Sequence, residues 1–278
     1  MSRFLTPDDA DHISDFLSAP RLQTFLNLTK SGLREDAIEL HQATMSLGIA
    51  IMAVTGLIEV SLRNAACKQL DVMFGRPDWL RNPPLALQWQ RLEGNSIRRA
   101  QKQARRAAYS KMTGPQKAAL DAQAFPGGKP PGLSHEDLAS RRQATIAVAD
   151  SQVIAQLTMH FWKRLVSDQY ETMLWKRGLR KIFPNKALSR ADVASHLEVI
   201  YEMRNRLAHH EPVYGSRLEA VLEAISFVST YLGNRDPNVV SPFAKLIMPQ
   251  RDILSGQVAI MRSTFERLTP PPAAPAGG

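Results

Sequence analysis

Apolar residues recur along most of this chain at three- and four-residue intervals, the spacing of an α-helix packed along one side. The longest run, Met45 to Val60, sets Leu47, Ile49, Ile51, Met52, Val54, Leu57 and Ile58 among Ser46, Gly48, Thr55 and Gly56. It lies within a helix predicted from Glu35 to Phe74. A bilayer span needs about 20 apolar residues, and this run stops at Glu59 and Arg63, so the pattern reads as a core helix whose small residues let a neighbour approach closely. A second stripe, Val193, Leu197, Ile200, Met203 and Leu207, predicts a helix from Arg190 to His210 with one packed face.

Shorter helices are expected over Asp8 to Leu17, Arg21 to Thr29, Leu85 to Lys111 with a break at Gly94, a short piece from Pro115, Val148 to Trp162, Tyr170 to Ile182, Arg217 to Leu232 and Leu246 to Leu268. No stretch alternates as a strand does, and no short period repeats. The string Phe125-Pro126-Gly127-Gly128-Lys129-Pro130-Pro131-Gly132-Leu133 predicts a loop, because proline removes a donor and glycine favours non-helical backbone. Ser134 and Asp137 then carry a helix-capping spacing, while Pro270 to Gly278 has the composition of a disordered or extended tail. Phe161, Trp162, Trp175 and Phe183 sit in apolar surroundings and are expected in the core.

At 278 residues with 44% hydrophobic content, the chain is long enough to bury a sizeable helical core. Its single Cys67 cannot close an intramolecular disulfide, its polar N-terminus does not resemble a secretory signal, and its Cys, His and acidic residues lack zinc-site spacing. The expectation is a cytoplasmic protein with no membrane span, no metal and no cofactor.

A net charge of +9 favours a polyanionic partner. The excess is concentrated between Arg91 and Lys117, where Glu93 is the single acid. Arg98, Arg99, Lys102, Arg105 and Arg106 follow at helical intervals, which makes them candidate phosphate-backbone contacts for RNA. The same residues also suit a solvated helix face.

Most of the chemical potential lies in Glu202-Met203-Arg204-Asn205-Arg206-Leu207-Ala208-His209-His210-Glu211-Pro212-Val213. Asn205 and His209 share a helix face, Arg206 adjoins it, and Pro212 predicts that the helix stops at the histidines. A histidine can take and give a proton near neutral pH, and an arginine beside it can stabilise negative charge growing on a phosphorane. That set suits metal-free RNA cleavage by an adjacent 2′-OH. It equally suits a solvated cationic helix end.

Arg204-Asn205-Arg206-Leu207-Ala208-His209 resembles the R-N-x-x-x-H form of the HEPN ribonuclease signature, and the longer string through Pro212 resembles the Abi-like (abortive infection) bacterial family. Further residues follow that family's order: Leu17 to Leu22, Leu57 to Ala65, Phe161 to Leu165, Tyr170-Glu171, Leu174-Trp175 and Phe183 to Asn185. The resemblance covers roughly residues 15–235. It implies an all-α, HEPN-like helical bundle with added N-terminal helices and a basic helical insertion.

By this resemblance residues 1–235 form one Abi-like domain, with the signature helix at about 190–210 and the insertion at about 85–145; residues 236–269 extend it and 270–278 form the tail. The implied activity is a metal-independent endoribonuclease of a phage-defence or toxin–antitoxin system. Arg204, Asn205 and His209 carry over as catalytic positions. Glu59 and Arg63 resemble an accompanying E-x3-K/R element, and Arg206 and His210 are possible accessory residues. Arg63-Asn64 begins like the signature, but Lys68 stands where a histidine would complete it. One full motif per chain implies a homodimer with both His209 side chains near its axis, and a cognate antitoxin or regulatory partner is a further expectation. The alternative is a non-catalytic HEPN-type module that binds nucleic acid, nucleotide or a protein partner.

Overall fold

The computed structural model describes residues 6–85 and 87–269, and the segments expected to form the tail and the extreme N-terminus lie outside them. The fold is all-α: among the described residues there are thirteen α-helices and no strand. In chain order they are α1 (Pro7–Leu17), α2 (Ala19–Leu26), α3 (Arg34–Phe74), α4 (Arg91–Ser110), α5 (Gly114–Ala119), α6 (Asp121–Ala124), α7 (His135–Thr145), α8 (Asp150–Ile154), α9 (Met159–Arg164), α10 (Arg190–Ala208), α11 (Gly215–Tyr231), α12 (Pro242–Leu246) and α13 (Met248–Leu268).

The helices group into two compact units, residues 1–61 with 183–278 and residues 62–182, so that α3 contributes its first part to one and its last part to the other. In the first unit Leu47, Ile51, Val54 and Ile58 of α3 are fully buried, as are Val193, Leu197 and Ile200 of α10. The expected close helix approach is present: a Cβ on Gly48 would lie 2.9 Å from Leu207 Cδ2, and one on Gly56 would lie 3.7 Å from Arg204 Nη1. By length and composition α3 also has what crossing a membrane requires, a property it shares with core helices. A reciprocal cap starts α10, with Asp192 N–H donating to Ser189 Oγ at 3.1 Å and Ser189 N–H to Asp192 Oδ2 at 2.9 Å.

In the second unit α4 packs against α7, α8 and α9. Ile97, Ala100 and Ala104 line its buried face together with Glu93. Burying a carboxylate is costly unless it is paired and hydrogen-bonded. Here Arg164 meets Glu93 Oε1, and Tyr170 donates to Oε2 at 2.9 Å while accepting from Gln90 N–H at 3.1 Å. Burial, with the Glu93 contact adding to it, pushes the Tyr170 phenol up to about 12. Phe161, Trp162 and Trp175 are buried in this unit and Phe183 in the other, as their surroundings predict.

Three expected helices differ in the structure. The basic helix begins at Arg91 instead of Leu85, because Trp89 turns inward, donating its indole N–H to Leu80 O and contacting the Trp79, Phe161 and Tyr170 rings. Gly94 does not break it; one glycine costs about 1 kcal/mol relative to alanine, less than the packing on either side supplies. The helix expected over Val148 to Trp162 stops at Ile154 and restarts at Met159, where Thr158 adopts extended backbone as the N-cap. Tyr170 to Ile182 winds as 3-10, π and 3-10 turns, an irregular path that buries Tyr170, Leu174, Trp175, Leu179 and Ile182 and brings Gly178 close to Met73. The last expected helix, Leu246 to Leu268, is present as α13, which begins at Met248 with Pro249 in its first turn, where a missing N–H costs the helix nothing, and follows the short α12. The loop at Phe125 to Leu133 and the Ser134 cap, which accepts from Asp137 N–H at 3.0 Å, are as expected.

Candidate functional site

Helix α10 ends where Pro212 predicts, with His209 as its C-cap. The chain then closes the helix in a Schellman arrangement: His210 N–H donates to Leu207 O at 3.0 Å and Glu211 N–H to Arg206 O at 2.9 Å. This geometry puts His210 in the left-handed region at φ 56. Glycine usually holds such a position because a Cβ is strained there. A histidine held there is a backbone outlier beside the motif, and such outliers concentrate at functional sites.

Arg204 points inward from α10 onto α3. Its Nη2 lies 2.5 Å from Glu59 Oε2, its Nη1 donates to Thr55 Oγ1 at 3.4 Å, and Gly56 leaves room for the guanidinium. Glu59 and Thr55 are one turn apart on α3, which is why one guanidinium reaches both. Asn205, His209 and His210 are exposed. Among the described residues no side-chain hydrogen bond joins Asn205 to His209; their link is the helical bond from His209 N–H to Asn205 O at 3.2 Å. Arg206 is engaged by Glu211 just beyond the cap.

No protein-family model matches this chain, and no curated protein or solved structure matches it either.

The structure thus joins Arg204 with Glu59 and sets Asn205 and His209 at the exposed end of the same helix. It does not pair Glu59 with Arg63, which lies one turn further along α3: Glu59 faces Arg204, and Arg63 Nε lies 3.5 Å from the Asn64 side-chain oxygen. Thr55 was not singled out by sequence as a site residue, and Glu211 was named only as part of the motif string, with no partner assigned to it. The signal for Thr55 was its position one turn before Glu59, and for Glu211 its charge beside an arginine-rich helix end. Among the described residues no three His, Cys, Asp or Glu side chains converge as metal ligands.

The basic candidates belong to α4. Arg98, Arg99, Lys102 and Arg106 are exposed, and Arg98 donates to the Asn95 side-chain oxygen. Arg105 is different: its Nε donates to the backbone carbonyl of Ile146 at 3.2 Å, fastening α4 to the end of α7. Among the remaining histidines, His196 stacks flat on Phe227 at 3.8 Å with Nδ1 2.7 Å from Asp192 O.

Proposed function

We propose that this protein is a metal-independent endoribonuclease of the HEPN type, related to the Abi-like abortive-infection proteins, with Arg204, Asn205 and His209 as its reacting set. The observation that carries the reading is the division of labour at the end of α10: an arginine oriented by Glu59 and Thr55, and an exposed histidine one turn further on.

His209 takes the proton from a ribose 2′-OH as that oxygen bonds to the adjacent phosphorus. Arg204 stabilises the charge on the phosphorane, and Asn205 holds the phosphate or the imidazole in place. The P–O5′ bond then breaks, and the leaving oxygen takes a proton from the partner's His209 across a homodimer axis. The products are a 2′,3′-cyclic phosphate and a 5′-OH. Such cleavage fits a phage-defence or toxin role under the control of an antitoxin or other regulatory partner.

One observation favours a second reading. The charge of Arg204 is already met by Glu59, which suits a non-catalytic module that binds nucleic acid through its other cations. Purified wild type, Arg204→Ala and His209→Ala incubated with RNA in EDTA separate the two, with the RNA ends sequenced. Cyclic-phosphate ends from wild type that vanish in both variants support the nuclease. Intact RNA that associates with wild type in a salt-sensitive manner supports the binder. Undiminished cleavage by His209→Ala removes the site assignment.

A further inference from the structure

The exposed side of α4 is a ridge of cations left uncompensated by its own helix, and we infer that it docks the phosphate backbone of double-stranded RNA. The choice of RNA over DNA rests on the proposed nuclease reading; the choice of a duplex rests on the ridge itself.

Glu93 is the single acid in α4, and it is turned into the core, where Arg164 and Tyr170 consume its charge and hydrogen-bonding capacity. Opposite that buried face lie Arg91, Arg98, Lys102 and Arg106, all exposed. Among the described residues no carboxylate pairs with any of them. At a rise of about 1.5 Å per residue, Arg98, Lys102 and Arg106 are stepped about 6 Å apart along a rigid rod, and Arg91 extends the row to about 22 Å. Cations at fixed, repeated spacing suit a strand whose phosphates are already held in a regular helix.

Single-strand binding is the less suitable use of this surface, because it relies on aromatic rings that stack on bases. Tyr109 is the single aromatic residue of α4, and the Lys117 ammonium covers its ring at 5.0 Å. With one aromatic ring on the helix, and that ring already met by Lys117, the ridge is equipped for backbone contacts, which position a nucleic acid without reading its sequence.

The test uses the full chain and a duplex RNA of about 20 base pairs carrying 2′-O-methyl sugars, long enough to span the ridge at a few ångströms per base pair. This probe cannot undergo 2′-OH attack, so binding is measured whether or not the protein is a nuclease. Fluorescence anisotropy across a salt series should show that Arg98→Ala/Lys102→Ala/Arg106→Ala weakens binding about tenfold or more and flattens the slope of log affinity against log salt by about 3, one for each lost phosphate contact. Arg98→Lys/Arg106→Lys, which keeps the charge, should retain the wild-type slope. An unchanged slope in a folded triple-alanine variant overturns the inference, as does tighter wild-type binding to the single-stranded probe or to DNA duplex of the same sequence.

Discussion

The guanidinium of Arg204 rests on the carboxylate of Glu59, Nη2 to Oε2 at 2.5 Å, with the two side chains only 20% and 17% exposed. Partial burial makes the pair unequal to a surface ion pair, since deleting either member leaves the other as a poorly solvated charge without its partner. Glu59→Ala is therefore expected to lower the free energy of unfolding by about 1.5–3 kcal/mol, whereas Glu59→Gln, which keeps an acceptor for the guanidinium, costs less. Urea titrations of wild type and both variants measure this. Identical stability of Glu59→Ala and wild type would refute a structural role for the contact.

At the other end of the site, His210 occupies left-handed backbone at φ 56 in a cap that glycine fills with less strain. His210→Gly is expected to stabilise the protein by about 0.5–1 kcal/mol through relief of that strain. Thermal unfolding provides the measurement. If the variant is more stable and still cleaves RNA, His210 is a cap alone; if it is more stable and inactive, the imidazole belongs to the chemistry.

The sequence pattern made the all-helical class legible because helical periodicity in α3 and α10 is strong and local. It also located the end of α10, since Pro212 restricts the residue before it whatever surrounds it. What the pattern missed depended on partners distant in sequence. Tyr170 to Ile182 looked like one helix, but the need to bury residues on several of its sides winds it irregularly. Glu59 had only Arg63 near it along the chain, and the approach of α10 to α3 is what gives it Arg204 instead. Arg105 looked interchangeable with its neighbours until Ile146 O claimed it.

His41 provides a pH-dependent prediction in the first unit. Its Nε2 is buried without a partner among the described residues, its ring meets Phe25 edge-on at 5.1 Å, and burial, reinforced by the positive charge of Arg21, holds its pKa below the usual histidine range. The unfolded chain therefore binds a proton at this site more readily than the folded one, so stability rises with pH across the window and falls as pH drops below about 6.5. His41→Leu removes that contribution. Between pH 7 and pH 5 the variant should lose less unfolding free energy than wild type in chemical denaturation, and parallel losses in the two proteins would exclude His41 as a source of acid sensitivity.

Cys67 gives a prediction of the opposite sign. Burial first, and then the negative charge of Asp71, pushes its thiol up to about 11, although Arg63 opposes the shift. Only the thiolate is alkylated readily, and a pKa raised from about 9 to about 11 leaves roughly a hundredfold less of it at any pH well below both values. Iodoacetamide should accordingly modify the folded protein slowly at pH 8, with a rate that climbs about tenfold per pH unit and has not levelled by pH 10. In urea the same cysteine should react faster and reach half its plateau rate near pH 9, the pKa of an unburied thiol. A folded protein whose alkylation rate is already half-maximal near pH 9 would show that the Cys67 thiol is not held neutral by its surroundings.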